Sequence, residues 1–292
     1  MIKVHAPIEI ITDHPHPEDS PDYFEPAGSV EDNHSNAYFI YELDRRFHGL
    51  PYRLMDLGCA GGQFAVDIHN KGAPWVGVGV EGGNIHGMTG SFETRAMETG
   101  VLTQARGADN WTLYKDECLF NADISKPFDI VIKDTGEPEW KGAVGQRLTF
   151  DIITAYEFLE HPLPTDIPHI LQNVKKHLAP SGLFIGTINL SPGFHHRCAK
   201  PVQWWRDMYD EQGFILDFYP FQTSPRTGHA YLYQLLHHIQ AHGPDVYMID
   251  ESVMPPAELR PPNMASTFTD GAPIELNNEN LPFCATHKEV FK

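Results

Sequence analysis

Two short clusters in this 292-residue chain hold residue types and spacings that can do chemistry. The first is Asp56-Leu-Gly58-Cys-Ala60-Gly61-Gly62. Glycines let backbone approach a ligand closely and present N–H donors at a helix start. A lone run of this kind also suits any tight strand-to-helix turn. Context strengthens the ligand reading. Glu81 follows about 20 residues later, where an acid can accept two hydrogen bonds from a ribose diol. The run lacks the G-x-G-x-x-G spacing of dinucleotide binders, so a dinucleotide is the weaker expectation.

The second cluster is Glu157-x-x-Glu160-His161. On a helix, side chains at i, i+3 and i+4 share a face, so two carboxylates and an imidazole would converge. Hard carboxylate oxygens with one imidazole suit Mg²⁺, Mn²⁺ or Fe²⁺. The bland alternative is that Glu160 and His161 only pack beneath a ligand pocket. His195-His196 lies further along, and His196, ahead of His195, is the candidate fourth ligand. His161 and His196 are also the candidate general bases.

Elements must hold these residues, and short apolar runs alternate with helical patterns to supply them. Arg53–Leu57 reads as a buried strand entering the glycine-rich turn, and Pro74–Glu81 as a second strand ending on an acid. Glu117–Asn121, Phe150–Ala155 and Leu183–Leu190 read as further strands. Helices fit at Gly62–Lys71, within Ile85–Arg106, and at Asp166–Leu178, where Ile167, Ile170, Leu171, Val174 and Leu178 form one apolar stripe. A helix at Gln203–Glu211 and strands at Phe214–Phe218 and Ala230–His237 complete the series. The helix Ala37–Phe47 has an N-cap signal at His34-Ser-Asn36. This alternation implies an α/β fold with a parallel sheet covered on both faces. Residues 126–149 break the rhythm and read as a hairpin insertion. Phe128–Ile132 inside it competes with Phe150–Ala155 for the fourth-strand position. The latter is preferred because it runs on into Leu159-Glu160-His161.

With these residues in order, the chain resembles the class I S-adenosylmethionine-dependent methyltransferases. Asp56, Gly58, Ala60 and Gly62 occupy the positions of that family's acid-x-Gly-x-Gly-x-Gly turn, with Ala60 in place of the middle glycine. Glu81 matches its ribose-binding acid, and Asp123-Ile124 its adenine-contacting pair. Phe150–His161 is similar to its fourth-strand motif, and Leu178–Ile185 to its turn before the fifth strand. The resemblance covers residues 50–220. It implies a doubly wound, Rossmann-like, seven-stranded sheet with helices on both faces and the last strand antiparallel. It also implies a cofactor set of Asp56, Gly58, Ala60, Gly62, Glu81, Gly82, Asp123, Ile124 and Ala155. The E-x-x-E-H motif resembles that of ubiquinone-biosynthesis O-methyltransferases and of small-RNA 3′-terminal 2′-O-methyltransferases. The implied function is S-adenosylmethionine-dependent O-methylation of a small-molecule hydroxyl. Mg²⁺ or Mn²⁺ would assist it on Glu157, Glu160, His161 and His196. The alternatives are RNA 2′-O-methylation and a non-catalytic cofactor-binding domain.

Composition bounds the rest. Net charge is −18, with pI near 5.3. Such a field repels phosphate backbones, so the expected partner is a small-molecule acceptor and not a nucleic acid. The four Cys form no CxxC pair, which argues against a zinc knuckle or redox dithiol. Scattered thiols, no signal-peptide pattern and no long apolar run lead to a cytoplasmic protein with no membrane span as the expectation. A homo-oligomer remains open on these grounds. Residues 1–34 read as an acidic, solvated arm and 35–242 as the folded domain. Residues 243–292 read as a Pro-rich acidic extension whose apolar islands, such as Leu281–Phe283, would dock.

Overall fold

The computed structural model describes residues 5–20, 23, 40, 43–44, 47–83, 105–190, 192, 195–218 and 280–287. The expected helices at Ala37–Phe47 and within Ile85–Arg106 lie largely outside the described residues, as does the strand Ala230–His237.

Strand β1 (Ile8–Ile11) is followed by β2 (Arg53–Leu57), helix α1 (Gln63–His69) and β3 (Val76–Glu81). Next come α2 (Ala105–Tyr114), β4 (Leu119–Asn121), β5 (Asp129–Ile132) and β6 (Phe150–Tyr156). The chain continues through α3 (Ile167–His177), β7 (Leu178–Asn189), α4 (Val202–Glu211), β8 (Phe214–Phe218) and β9 (Asn280–His287). Seven strands form one sheet in the order β4-β3-β2-β6-β7-β9-β8. β4, β3, β2, β6 and β7 run parallel, and β9 is antiparallel to both of its neighbours. This is the Rossmann-like sheet expected from the sequence, with its last strand antiparallel.

The strands are apolar along their length because both faces are covered. Alternate residues go to opposite faces. Leu54 of β2 and Ile152 of β6 pack with Phe64 and Ile68 of α1. Met55 and Ile153, one residue on, pack with the core that holds Ile170, Leu171 and Val174 of α3 and Trp205 of α4. The stripe read from the sequence is therefore the buried face of α3, with Ile167, Ile170, Leu171 and Val174 at 0% exposure.

Three placements refine the sequence reading. Phe150–Tyr156, not Phe128–Ile132, is the strand beside β2. The hairpin in the insertion is real: the Leu148 N–H donates to the Ile130 carbonyl at 2.8 Å. It is completed by β1, which pairs antiparallel with β5 from Ile8↔Ile132 to Ile11↔Asp129. The described part of the acidic arm is thus docked, with Ile8 only 6% exposed. The alternation Ile8-Glu9-Ile10 supplies the period-2 pattern of a half-buried strand, which a count of acids overlooks. The last strand, Asn280–His287, comes from the segment read as a C-terminal extension.

Candidate active site

The carboxyl ends of β2, β3, β4 and β6 converge on one open cleft with a cavity volume of about 100 Å³, where ligands bind in open α/β sheets. Gly58, Glu81, Gly82, Asp123 and Ile124 line it, with Glu157 and His161 across from them in the sequence.

The glycine-rich turn is built around Glu81. The Glu81 carboxylate accepts from the Ala60 N–H at 2.8 Å and from the Gly83 N–H at 2.8 Å. One buried acid thereby fixes the turns after both β2 and β3. Gly58 has φ +66, and a Cβ there would fall 2.6 Å from the Phe158 ring. Ala60 itself takes φ 49, a left-handed conformation tolerated here although the family pattern has glycine at this position. Helix α2 holds the turn from outside: Trp111 Nε1 donates to the Ala60 carbonyl at 2.8 Å and Asn110 Nδ2 to the Gly61 carbonyl at 3.1 Å. Nothing in the sequence pattern singled out these two side chains. Asp56 accepts from Thr154 Oγ1 at 2.7 Å, tying β2 to β6 beneath the turn. Buried Cys59 has its thiol pushed well above the usual range by desolvation and then by Glu81, so it is a packing group and not a nucleophile.

Asp123 follows β4. Its Oδ1 accepts from the Ser125 N–H at 2.9 Å and from Ser125 Oγ at 2.6 Å. Asn173 of α3 anchors the same loop through the Ile124 carbonyl at 2.9 Å. Of the cofactor residues named from the sequence, Asp56, Ala60 and Gly62 shape the turn without lining the cleft. Ala155 is fully buried in the core beside Ile153.

The E-x-x-E-H segment departs from expectation. It is not helical: residues 157–166 form turns and α3 begins only at Ile167. Pro162 and Pro164 explain this, because proline removes helix donors and restricts the residue before it. Glu157 takes φ 51 at the end of β6, and its Oε1 accepts from Thr187 Oγ1 at 2.9 Å. It stands outside the cluster that forms. Glu160, His161 and His196 instead bring one ligand atom each to within 4.8 Å of one another. The His161 and His196 rings lie 5.2 Å apart. His195 is not in this set. Two bonds lock the loops together: the Cys198 N–H donates to the Glu160 carbonyl at 2.8 Å, and the Arg197 side chain donates from Nε to the His161 carbonyl at 2.9 Å.

Glu160 is fully buried. Its Oε1 accepts from the Asn189 N–H at 3.1 Å, while Oε2 has no hydrogen-bond partner among the described residues. Burial, and then the neighbouring Glu157 charge, push its carboxyl up to about 8. One carboxylate oxygen and two imidazole nitrogens grouped in this way, on a carboxyl with an oxygen left unbonded among the described residues, are a donor set that would suit a divalent cation. Two nitrogens and one oxygen favour Mn²⁺ or Fe²⁺ over Mg²⁺, which prefers oxygen.

Solved structures of the same general architecture include an S-adenosylmethionine-dependent methyltransferase from Clostridium acetobutylicum, at 11% identity and TM-score 0.43, covering 91% of this chain and 95% of that one. A TehB-like methyltransferase from Corynebacterium glutamicum aligns at 12% identity and TM-score 0.41 over 91% of this chain and 97% of its own. A putative O-methyltransferase from Nostoc punctiforme aligns at 13% identity and TM-score 0.40 over 71% of this chain and 58% of its own. No curated protein matches the sequence significantly. The family model of a methyltransferase domain matches residues 32–220, more than half of the chain. The chain therefore belongs to the methyltransferase-domain family and is an S-adenosylmethionine-dependent methyltransferase.

Proposed function

We propose that this enzyme methylates a hydroxyl of a small-molecule acceptor, with a divalent cation at Glu160, His161 and His196. The observation that carries the reading is the buried Glu160 Oε2, unpartnered among the described residues, beside two imidazoles at the rim of the cofactor cleft.

The sulfonium methyl of S-adenosylmethionine is already activated. The protein's task is alignment of nucleophile, methyl and leaving sulfur, together with removal of one proton. Glu81 and Asp123, which line the cleft with Ile124, would hold the adenosine half by accepting hydrogen bonds from its hydroxyl and amino groups, and Ile124 would pack against the base. Gly58 lets the backbone approach the methionine half. His161 lines the cleft, at the edge where the acceptor hydroxyl must lose its proton. The His196 ring packs edge-on against that of His161, with centroids 5.2 Å apart. A bound cation would lower the pKa of a coordinated hydroxyl and orient it towards the methyl. Acceptors with vicinal hydroxyls, as in a catechol or a sugar, are then favoured because they chelate.

Metal removal tests this. Exhaustive EDTA treatment should abolish transfer to a catechol, and Mn²⁺ should restore it. Glu160→Gln should raise the Mn²⁺ requirement about 10–100-fold. Full turnover in the metal-free enzyme would leave His161 as the base and remove the cation from the proposal.

A further inference from the structure

We propose that residues 12–20 are a strap closed over the cofactor cleft, and that Arg197 is the positioning residue that latches it to the His161 turn. The inference rests on the reading of this cleft as the S-adenosylmethionine site, and deepens it.

The strap's base is firm. After β1 pairs with β5, the His14 carbonyl accepts from the Asp123 N–H at 2.8 Å, a backbone bond at the very residue that ends the adenine side of the cleft. His16 Nδ1 lies 3.4 Å from the Gly82 carbonyl. Pro17 then sits on Gly82 itself: a Cβ on Gly82 would meet the proline ring at 3.0 Å. The strap thus crosses the ends of both β4 and β3, the two strands that carry the nucleoside-binding acids. Its tip folds back in a turn, with the Ser20 N–H donating to the Pro17 carbonyl at 3.1 Å. Pro17, Asp19 and Ser20 line the cleft, and Ser20 is 7% exposed.

The tip is held to the opposite wall by one side chain. Arg197 donates from Nη1 to the Asp19 carbonyl at 3.3 Å and from Nε to the His161 carbonyl at 2.9 Å. It is the one Lys or Arg among the described residues lining the cleft. A rigid, planar fork suits two carbonyls on separate segments, where a lysine reaches only one. The Asp19 bond is the longer and more exposed of the two, so the tip is where the cleft opens. Seating the strap over bound cofactor and holding the His161 turn in place are therefore one event, mediated by Arg197. The cofactor leaves when the Asp19 bond breaks and Pro17 lifts from Gly82.

Cofactor release and proteolysis test this on the full-length protein. The strap contains no Lys or Arg but has Glu18 at its tip, so glutamyl endopeptidase cuts there when the tip lifts. S-adenosylhomocysteine should slow cleavage after Glu18 at least tenfold in the wild type. Arg197→Gln should cancel that protection and speed S-adenosylhomocysteine release about tenfold, the value of one charge-assisted hydrogen bond partly open to solvent. Arg197→Lys should restore part of the slow release, and the melting temperature of both variants should stay at the wild-type value. Gly82→Ala, which displaces Pro17 without touching Arg197, should likewise expose Glu18. Wild-type protein that binds no S-adenosylhomocysteine overturns the cofactor reading and the strap with it. Binding with unchanged cleavage after Glu18, or wild-type release rates in both Arg197→Gln and Gly82→Ala, overturns the strap alone.

Discussion

Glu81 does two jobs with one carboxylate. It is 7% exposed, and it ties down the Ala60 and Gly83 N–H groups while lining the cleft. Replacing it with Ala unties two turns and also removes the acceptor proposed for the ribose diol. Affinity for S-adenosylmethionine should fall at least tenfold, from hydrogen bonds to a charged group worth about 1.5–3 kcal/mol each. Glu81→Gln keeps one oxygen acceptor and should lose less. Isothermal calorimetry on both variants checks the order, and equal affinity in Glu81→Ala would remove Glu81 from the site. Positive φ at both Ala60 and Glu157 is a related sign at this scale. Non-glycine residues tolerate that region only where surrounding structure holds them, and here both flank the cleft.

The elements position these residues by close approach. α1 lies so tightly on β3 that a Cβ on Gly77 would fall 2.1 Å from the Ala65 carbonyl. That neighbour is helix backbone and cannot rotate away. Gly77→Ala should destabilise the protein by about 3 kcal/mol or more, read as a shift in urea midpoint, because it pushes α1 and its glycine-rich entry off the sheet. α3 is fixed to the insertion by His177. Its Nδ1 lies 2.9 Å from the Asn173 carbonyl and its Nε2 accepts from the Ile130 N–H at 3.3 Å, with the ring stacked on Phe128. That pattern requires a neutral ring, and burial lowers its pKa from 6.5 to about 4. The unfolded chain protonates near 6.5 while the folded ring stays neutral to about 4. Its stabilisation is complete above pH 6.5 and is lost as pH falls towards 4, to the extent of about 3 kcal/mol. Urea unfolding across that range should show the loss in the wild type. His177→Phe should start less stable at neutral pH and show a correspondingly flatter acid limb.

Across the whole molecule the net charge of −18 sets what approaches the cleft. Carboxylates at Asp19, Glu81, Asp123, Glu157 and Asp166 line the cleft against the single guanidinium of Arg197. This suits a cationic sulfonium and repels a phosphate backbone. Total RNA should show neither saturable binding nor methyl incorporation at physiological salt. Salt-sensitive binding in a filter assay would favour the RNA alternative. Among the described residues, no helix is long and apolar enough to cross a membrane.

The sequence alone determined the central strands and helices from β2 to β8, because burial on two faces writes itself as apolar runs and a 3.6-residue stripe. It also brought Gly58, Glu81 and Asp123 to one edge: each follows its strand at short range, all three line the cleft, and local spacing carries that signal. Only the tertiary structure decided what the second cluster is. The spacing of Glu157, Glu160 and His161 predicts one helical face, but Pro162 and Pro164 make a turn in its place. The partner of Glu160 and His161 is His196, more than thirty residues away and beyond β7. The sequence names His196 as a candidate ligand but not Arg197, Asn110 or Trp111, since their bonds cross between elements with no fixed spacing. The docking of residues 5–20 was hidden because β1 finds its partner more than a hundred residues away, Ile8 against Ile132 and Ile11 against Asp129. Such pairings have no local signature; they follow from which surfaces the finished sheet leaves to be covered.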